Sequence, residues 1–72
     1  MKKLILLGGG GHCKACIDVI EQEGSYEIIG ILDIPDMVGK KILGYPVIGT
    51  DDEIDRFIRK DILFLDVSRL AT

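Results

Sequence analysis

The sequence is most informative at first in what it lacks. It has no apolar stretch approaching the roughly 20 residues of a membrane span. Its opening, MKKLILL, imitates a secretory signal, but the apolar run is four residues long before glycine interrupts it, against about seven or more in a signal. It also lacks a basic excess. Nine Lys and Arg against twelve Asp and Glu leave a net charge of −3, and the adjacent bases, Lys2-Lys3, Lys40-Lys41 and Arg59-Lys60, are isolated pairs. Nucleic acids and anionic membranes need a basic footprint, so neither is an expected partner. Two cysteines three positions apart make no disulfide framework. A soluble cytoplasmic chain with free thiols is the expectation. The one histidine, His12, cannot complete a zinc site with Cys13 and Cys16, because a fourth ligand is missing. No Ser-His-Asp set and no paired carboxylates can be assembled either.

What is present fits one small globular domain over residues 1–72. Apolar residues make up 47% and charged residues 29%, far from a disordered composition. Residues 4–7 form a continuous apolar run that reads as a strand buried on both faces. Cys13, Cys16, Ile17 and Ile20 then recur at helical spacing, predicting a helix over 12–23 that Gly24 stops. YEIIGILD, residues 26–33, is a second strand ending in an acid. Strand, glycine turn, helix and strand together have the size of a βαβ crossover.

Residues 34–44 carry Pro35, Gly39 and Gly44 and read as an irregular connection. YPVIG is a short third strand, expected at a sheet edge because Pro46 cannot donate to a ladder. Thr50 and Glu53 form a capping-box signature for a helix over 51–60, with Ile54, Phe57 and Ile58 on its apolar face. The acids at 51–53 favour the dipole of that helix. ILFLDV, residues 62–67, is a fourth strand expected beside the first. The predicted architecture is α/β: a small Rossmann-like, mostly parallel, four-stranded open sheet with a helix on each face. There are no internal repeats.

The four glycines at 8–11 are the chemical signal. A parallel strand that ends in glycine and opens a helix leaves the first helical N–H groups without intrahelical partners, at the positive end of the helix dipole. Gly8-x-Gly10-x-x-Cys13 resembles the dinucleotide fingerprint, with a small Cys at the third glycine position. Asp33 stands where a ribose- or base-reading acid is expected. The other reading is that the glycines only let helix and strand pack closely. His12 is either a donor to a phosphate oxygen or a helix-terminal residue bonded to backbone. Cys13 and Cys16 read as small core residues, with C-x-x-C redox chemistry as the alternative.

The residues KKLILLGGGGHCKACIDVIEQEGSYEIIGILDIPDMVGKKILGYPVIG resemble the N-terminal domain of bacterial sugar acetyltransferases, of the sialic acid O-acetyltransferase and UDP-N-acetylbacillosamine N-acetyltransferase type. The likeness rests on Gly-Gly-His after a strand, the IDVI helix, the Leu-Asp strand end, Val-Gly-Lys and Gly-Tyr-Pro-Val-x-Gly. It implies a nucleotide-sugar ligand whose diphosphate lies on Gly10, Gly11 and His12. It implies a nucleoside contact at Asp33 and Ile34, the latter replacing a second acid found in many relatives. Relatives carry an Ala-Ile-Gly-like turn after the fourth strand, where this chain has LDVSRLAT, with Asp66 and Val67 near that position. The family's acetyl-CoA site, catalytic histidine and trimer contacts lie in a C-terminal left-handed β-helix, whose hexapeptide repeats do not appear here. The expected unit is thus a substrate-binding domain without cofactor of its own, which meets either that β-helix domain or its own copies. A dinucleotide-binding half-domain, with Asp33 on the ribose hydroxyls, and a structural remnant without ligand stand as alternatives.

Overall fold

The computed structural model describes residues 1–8 and 10–67. The segment 68–72, the tail of LDVSRLAT, lies outside the described residues, as does Gly9. The chain forms β1 (Lys2–Leu7), α1 (Gly10–Glu23), β2 (Tyr26–Asp33), a 3₁₀ turn at Pro35–Met37, β3 (Lys41–Ile42), β4 (Tyr45–Thr50), a 3₁₀ helix at Asp51–Arg56 and β5 (Ile62–Asp66). The sheet order is β3-β4-β2-β1-β5. β1, β2, β4 and β5 run parallel, and β3 is antiparallel to β4. Among the parallel strands the order is third, second, first, fourth, a small Rossmann-like arrangement. Among the described residues no helix is long and apolar enough to cross a membrane.

β1 sits inside the sheet, and its apolar run is buried throughout: Leu4, Ile5 and Leu6 are at most 5% exposed. Alternation sends Leu4 and Leu6 to one face, where they meet Cys13 and Ile17 of α1 together with Ile28, Ile31 and Val47. Ile5 and Leu32, both fully buried, point to the opposite face. There the 3₁₀ helix packs: a Cβ on Gly49 would lie 3.4 Å from both Leu32 and Phe57. Helical elements therefore cover both faces.

Two register shifts shape this core. Leu4 pairs with Ile28 but Ile5 with Gly30, so Ile29 is an extra residue in β2. Ile31 pairs with Val47 but Leu32 with Gly49, which makes Ile48 extra in β4. Strict alternation would put Ile28 and Ile31 on opposite faces; the first shift puts both under α1. Ile48 fills the space over Gly30, where a Cβ would come within 2.6 Å of its Cδ1.

The sheet has five strands rather than four, because the connection expected to be irregular contains β3. Ile42 and Tyr45 pair across a two-residue hairpin loop, Leu43-Gly44, with φ of 50° and 88°. Two positive φ values characterise the hairpin turn whose twist matches the strands. The loop lacks the usual Asn-Gly pair, which hid it in the sequence. β4 in consequence is not an edge strand. Pro46 is accommodated nonetheless, because pairing of β4 with β2 begins at Val47.

The expected helix over 51–60 is a shorter 3₁₀ helix. Its start is as expected: the Glu53 carboxylate accepts the Thr50 backbone N–H at 2.8 Å and the Thr50 hydroxyl at 3.1 Å. The bond from the Thr50 backbone, aided by Arg56, holds the Glu53 carboxyl below its usual range. The length is limited by reach. From the end of β4 to the start of β5 the chain crosses three strand spacings and returns one strand length, a diagonal of roughly 22 Å. An α-helix through 51–60 would advance only about 15 Å, whereas a 3₁₀ helix rises about 2.0 Å per residue. The 3₁₀ period aligns Ile54 with Phe57, both half-buried, and leaves Ile58 60% exposed. Smaller differences are that β1 begins at Lys2, α1 at Gly10, and β5 ends at Asp66.

One side-chain bond ties α1 to β4: the Tyr45 hydroxyl donates to Glu21 Oε2 at 2.5 Å. It raises the Tyr45 pKa above its ordinary value, so the folded state holds this proton more tightly than the unfolded chain. Stability from the bond is therefore complete below pH 10 and fades as pH rises through the higher folded value. Spectrophotometric titration of the two tyrosines is expected to show one ionising later than the other, and Tyr45→Phe to remove the later step. The hairpin supplies a second test. A left-handed conformation costs a residue such as Leu about 1–2 kcal/mol, so Leu43→Asn is expected to stabilise the fold by about 1 kcal/mol. In a thermal melt that is a rise of roughly 4–8 °C.

Candidate functional site

The parallel strands end together. Leu7 pairs with Leu32 on one side and Asp66 on the other, and Asp33 pairs with Thr50. Gly8, Asp33, Thr50 and Val67 therefore border one edge of the sheet. β1 is where the strand order reverses, since successive parallel strands add on its β2 side until β5 joins the other. In open α/β sheets the crevice outside the carboxyl ends at such a reversal receives ligands.

Gly8 makes the turn out of β1 at φ 89°, a conformation that favours glycine. Its amide donates to the Leu32 carbonyl at 2.7 Å, so Gly8 extends the β1–β2 ladder and has no N–H to offer a guest. α1 starts at Gly10, and an α-helix leaves its first N–H groups without intrahelical acceptors. Gly10, Gly11 and His12 carry these groups. The first turn of α1 contains no acid, so no carboxylate of its own neutralises the positive end of the dipole. The 3₁₀ helix is the opposite case, with Asp51, Asp52 and Glu53 in its first turn.

Asp33 ends β2 half-buried. One carboxylate oxygen accepts the Ile34 backbone N–H at 2.8 Å, and a carboxylate retains further lone pairs for another donor. The charge on Asp33 is felt within α1. The Cys13 pKa is raised to about 11 by burial first, then by Cys16 and by Asp33. The glycine turn and the acid, separated in sequence by a helix, thus meet across the β1–β2 ends. Ile34 is 54% exposed beside them.

His12 is exposed and turns toward β5. It lines a groove of ≈ 280 Å³ with Ala15, Cys16, Val19, Ile20 and Leu65. This apolar groove was not anticipated, although Ala15 and Val19, four residues apart beside the core stripe, are its signature in sequence. The two cysteines are free. Cys13 is fully buried and its thiol held protonated, the reverse of the lowered pKa that redox pairs use at a helix start.

The family model for the PglD N-terminal domain matches residues 3–66. The chain belongs to that family, the N-terminal domain of PglD-type UDP-N-acetylbacillosamine acetyltransferases. No curated protein matches the chain. The PglD N-terminal match spans β1 to β5 and so includes both Gly10-Gly11-His12 and Asp33-Ile34.

Thiol reactivity tests the site's chemistry. With a pKa of about 11, about one Cys13 thiol in a thousand is ionised at pH 8. Alkylation of the native protein is expected to modify Cys16 alone, with Cys13 reacting only after denaturant is added; peptide mass spectrometry reads the order.

Proposed function

We propose that this domain binds the nucleotide end of a UDP-linked amino sugar and presents the sugar for acetylation. The observation that carries this reading is an α-helix whose first turn holds Gly10, Gly11 and His12 and no acid, opening beside Asp33 at the strand-order reversal. The diphosphate lies at the amides of Gly10, Gly11 and His12, where dipole and unshared N–H groups favour an anion. Gly8 contributes the turn that lets the phosphates approach the backbone. Asp33 accepts a donor from the nucleoside, and the exposed side chain of Ile34 lies against the base. The membership in the PglD N-terminal domain family supports this assignment of ligand class.

The reaction itself belongs to another part of such an enzyme. Acetyl-CoA and the acyl-transfer base are supplied by a C-terminal left-handed β-helix in the cytoplasm, and residues 1–72 act as one nucleotide-sugar-binding unit. A second reading, dinucleotide binding with Asp33 on the ribose hydroxyls, draws on the same sheet order and the same acid.

Isothermal titration with a UDP-amino sugar, UDP, NAD and CoA separates the two. Heat with the uridine ligands and little with NAD or CoA is the expected result. Absence of heat with any uridine nucleotide at millimolar concentration, from a sample folded by circular dichroism, overturns the proposal; tighter binding of NAD selects the dinucleotide reading. Gly10→Val is expected to abolish binding with the fold retained. Asp33→Ala should weaken binding about tenfold or more, as for a lost hydrogen bond to a charged group.

A further inference from the structure

The pair Cys13 and Cys16 is a sequence motif that the nucleotide reading leaves unused. Both thiols are free. Cys13 is fully buried, whereas Cys16 is half-buried and lines the groove of ≈ 280 Å³ beside the exposed His12. Solvent therefore reaches one sulfur and not the other. Burial, and after it the neighbouring Cys16, raises the Cys13 pKa to about 11, so in the intact helix Cys13 is a poor nucleophile.

Three positions apart on an α-helix, the two Cβ atoms stand about 5–6 Å from each other. A disulfide needs about 3.5–4.5 Å, so the intact helix keeps the bond open. The part of α1 that can give is its first turn. On the C-terminal side Ile17 is fully buried and Ile20 packs against the core. On the N-terminal side stand Gly10 and Gly11, which have no side chains to pack and are each about 1 kcal/mol less favourable than Ala in a helix. Among the described residues, none from His12 to Cys16 makes a side-chain hydrogen bond or ion pair.

We propose that Cys13 and Cys16 form a redox switch, in which closure of their disulfide unwinds the first turn of α1 and withdraws the amides of Gly10, Gly11 and His12 from a diphosphate. Unwinding leaves Cys13 at the new helix start, where the dipole lowers a thiol pKa instead of raising it. The oxidant is hydrogen peroxide. The Cys16 thiolate attacks one peroxide oxygen, giving a sulfenic acid and releasing hydroxide. The Cys13 sulfur then attacks the Cys16 sulfur, and its proton leaves with the sulfenic hydroxyl as water. A dithiol reductant reverses the change. The loss of ligand rests on the nucleotide reading; the disulfide and the unwinding do not.

The test uses the full chain, treated with hydrogen peroxide and then freed of it. Trypsin cuts after Lys14, between the two cysteines. Mass spectrometry of the monomeric fraction without reductant is expected to find the peptides on either side of that cut joined, and Cys16→Ser to abolish the joined product. In the oxidised chain the carbonyls of residues 10–12 no longer accept the amides of Lys14, Ala15 and Cys16. Hydrogen exchange at those three should quicken roughly tenfold or more, with Ile17 to Glu23 protected as before. Titration with UDP should lose its heat on oxidation and regain it with dithiothreitol, while Cys16→Ser binds UDP before and after peroxide. Oxidation of Cys16 beyond the sulfenic acid with no joined peptides overturns the proposal. So does a disulfide that leaves exchange at residues 14–16 unchanged, or an oxidised chain that binds UDP as the reduced one does. If neither form binds UDP, the nucleotide reading falls, and the exchange result decides the switch alone.

Discussion

At the end of β1 the Gly8 amide donates to the carbonyl of Leu32 at 2.7 Å, with Gly8 at φ 89°. Everything at the carboxyl edge of the sheet depends on that bond. It carries the β1–β2 ladder one residue past the last paired strand residues, so the chain leaves β1 beside the end of β2. α1 must then open next to Asp33. A side chain at position 8 would strain the turn whatever the space around it, because positive φ is rarely adopted by other residues. The glycine run thus divides its work. Gly8 serves geometry, and the amides of Gly10 and Gly11 belong to the helix start.

The two helical elements use their N-termini in opposite ways. The 3₁₀ helix after β4 gathers Asp51, Asp52 and Glu53 into its first turn, and Glu53 also takes the Thr50 amide. Its need for negative charge is met from within. α1 has no acid in its first turn, and the neighbouring carboxylate, Asp33, is occupied in part by the Ile34 amide. The family match over residues 3–66 gives the contrast its context.

Stability is distributed unevenly around this edge. The deepest burial lies under α1 and along β1 and β2, where Ile5, Leu6, Ile17, Ile31 and Leu32 lose all solvent contact. The flank toward β5 is thinly covered: β5 contributes four apolar side chains without burying one fully. Among the described residues, packing therefore anchors the glycine turn chiefly from the β2 side, with Val67 the buried residue that follows β5. His12 stands at that boundary, at the helix start and on the rim of the apolar groove.

Much of this was legible in sequence. Residues 4–7, 26–33 and 62–67 were readable as strands from their apolar runs, and burial on both faces accounts for the run at 4–7, whereas β5 is as apolar without a buried residue. The glycine run marked the turn, Cys13, Ile17 and Ile20 marked the buried stripe of α1, and Thr50 with Glu53 marked a helix start. These features are local, and local chemistry determines them. Other features were not legible because they arise between segments. The extra residues Ile29 and Ile48 shift the register only when β2 meets its neighbours, and that decides which isoleucines share a face. The Leu43-Gly44 hairpin forms against the preference of Leu, held by pairing of Ile42 with Tyr45. The length of the last helix is decided by the distance from β4 to β5, which exists only once the sheet order is in place. The nearness of Asp33 to the start of α1 has the same origin: sequence supplied both groups, and the parallel pairing of β1 with β2 brought them to one edge.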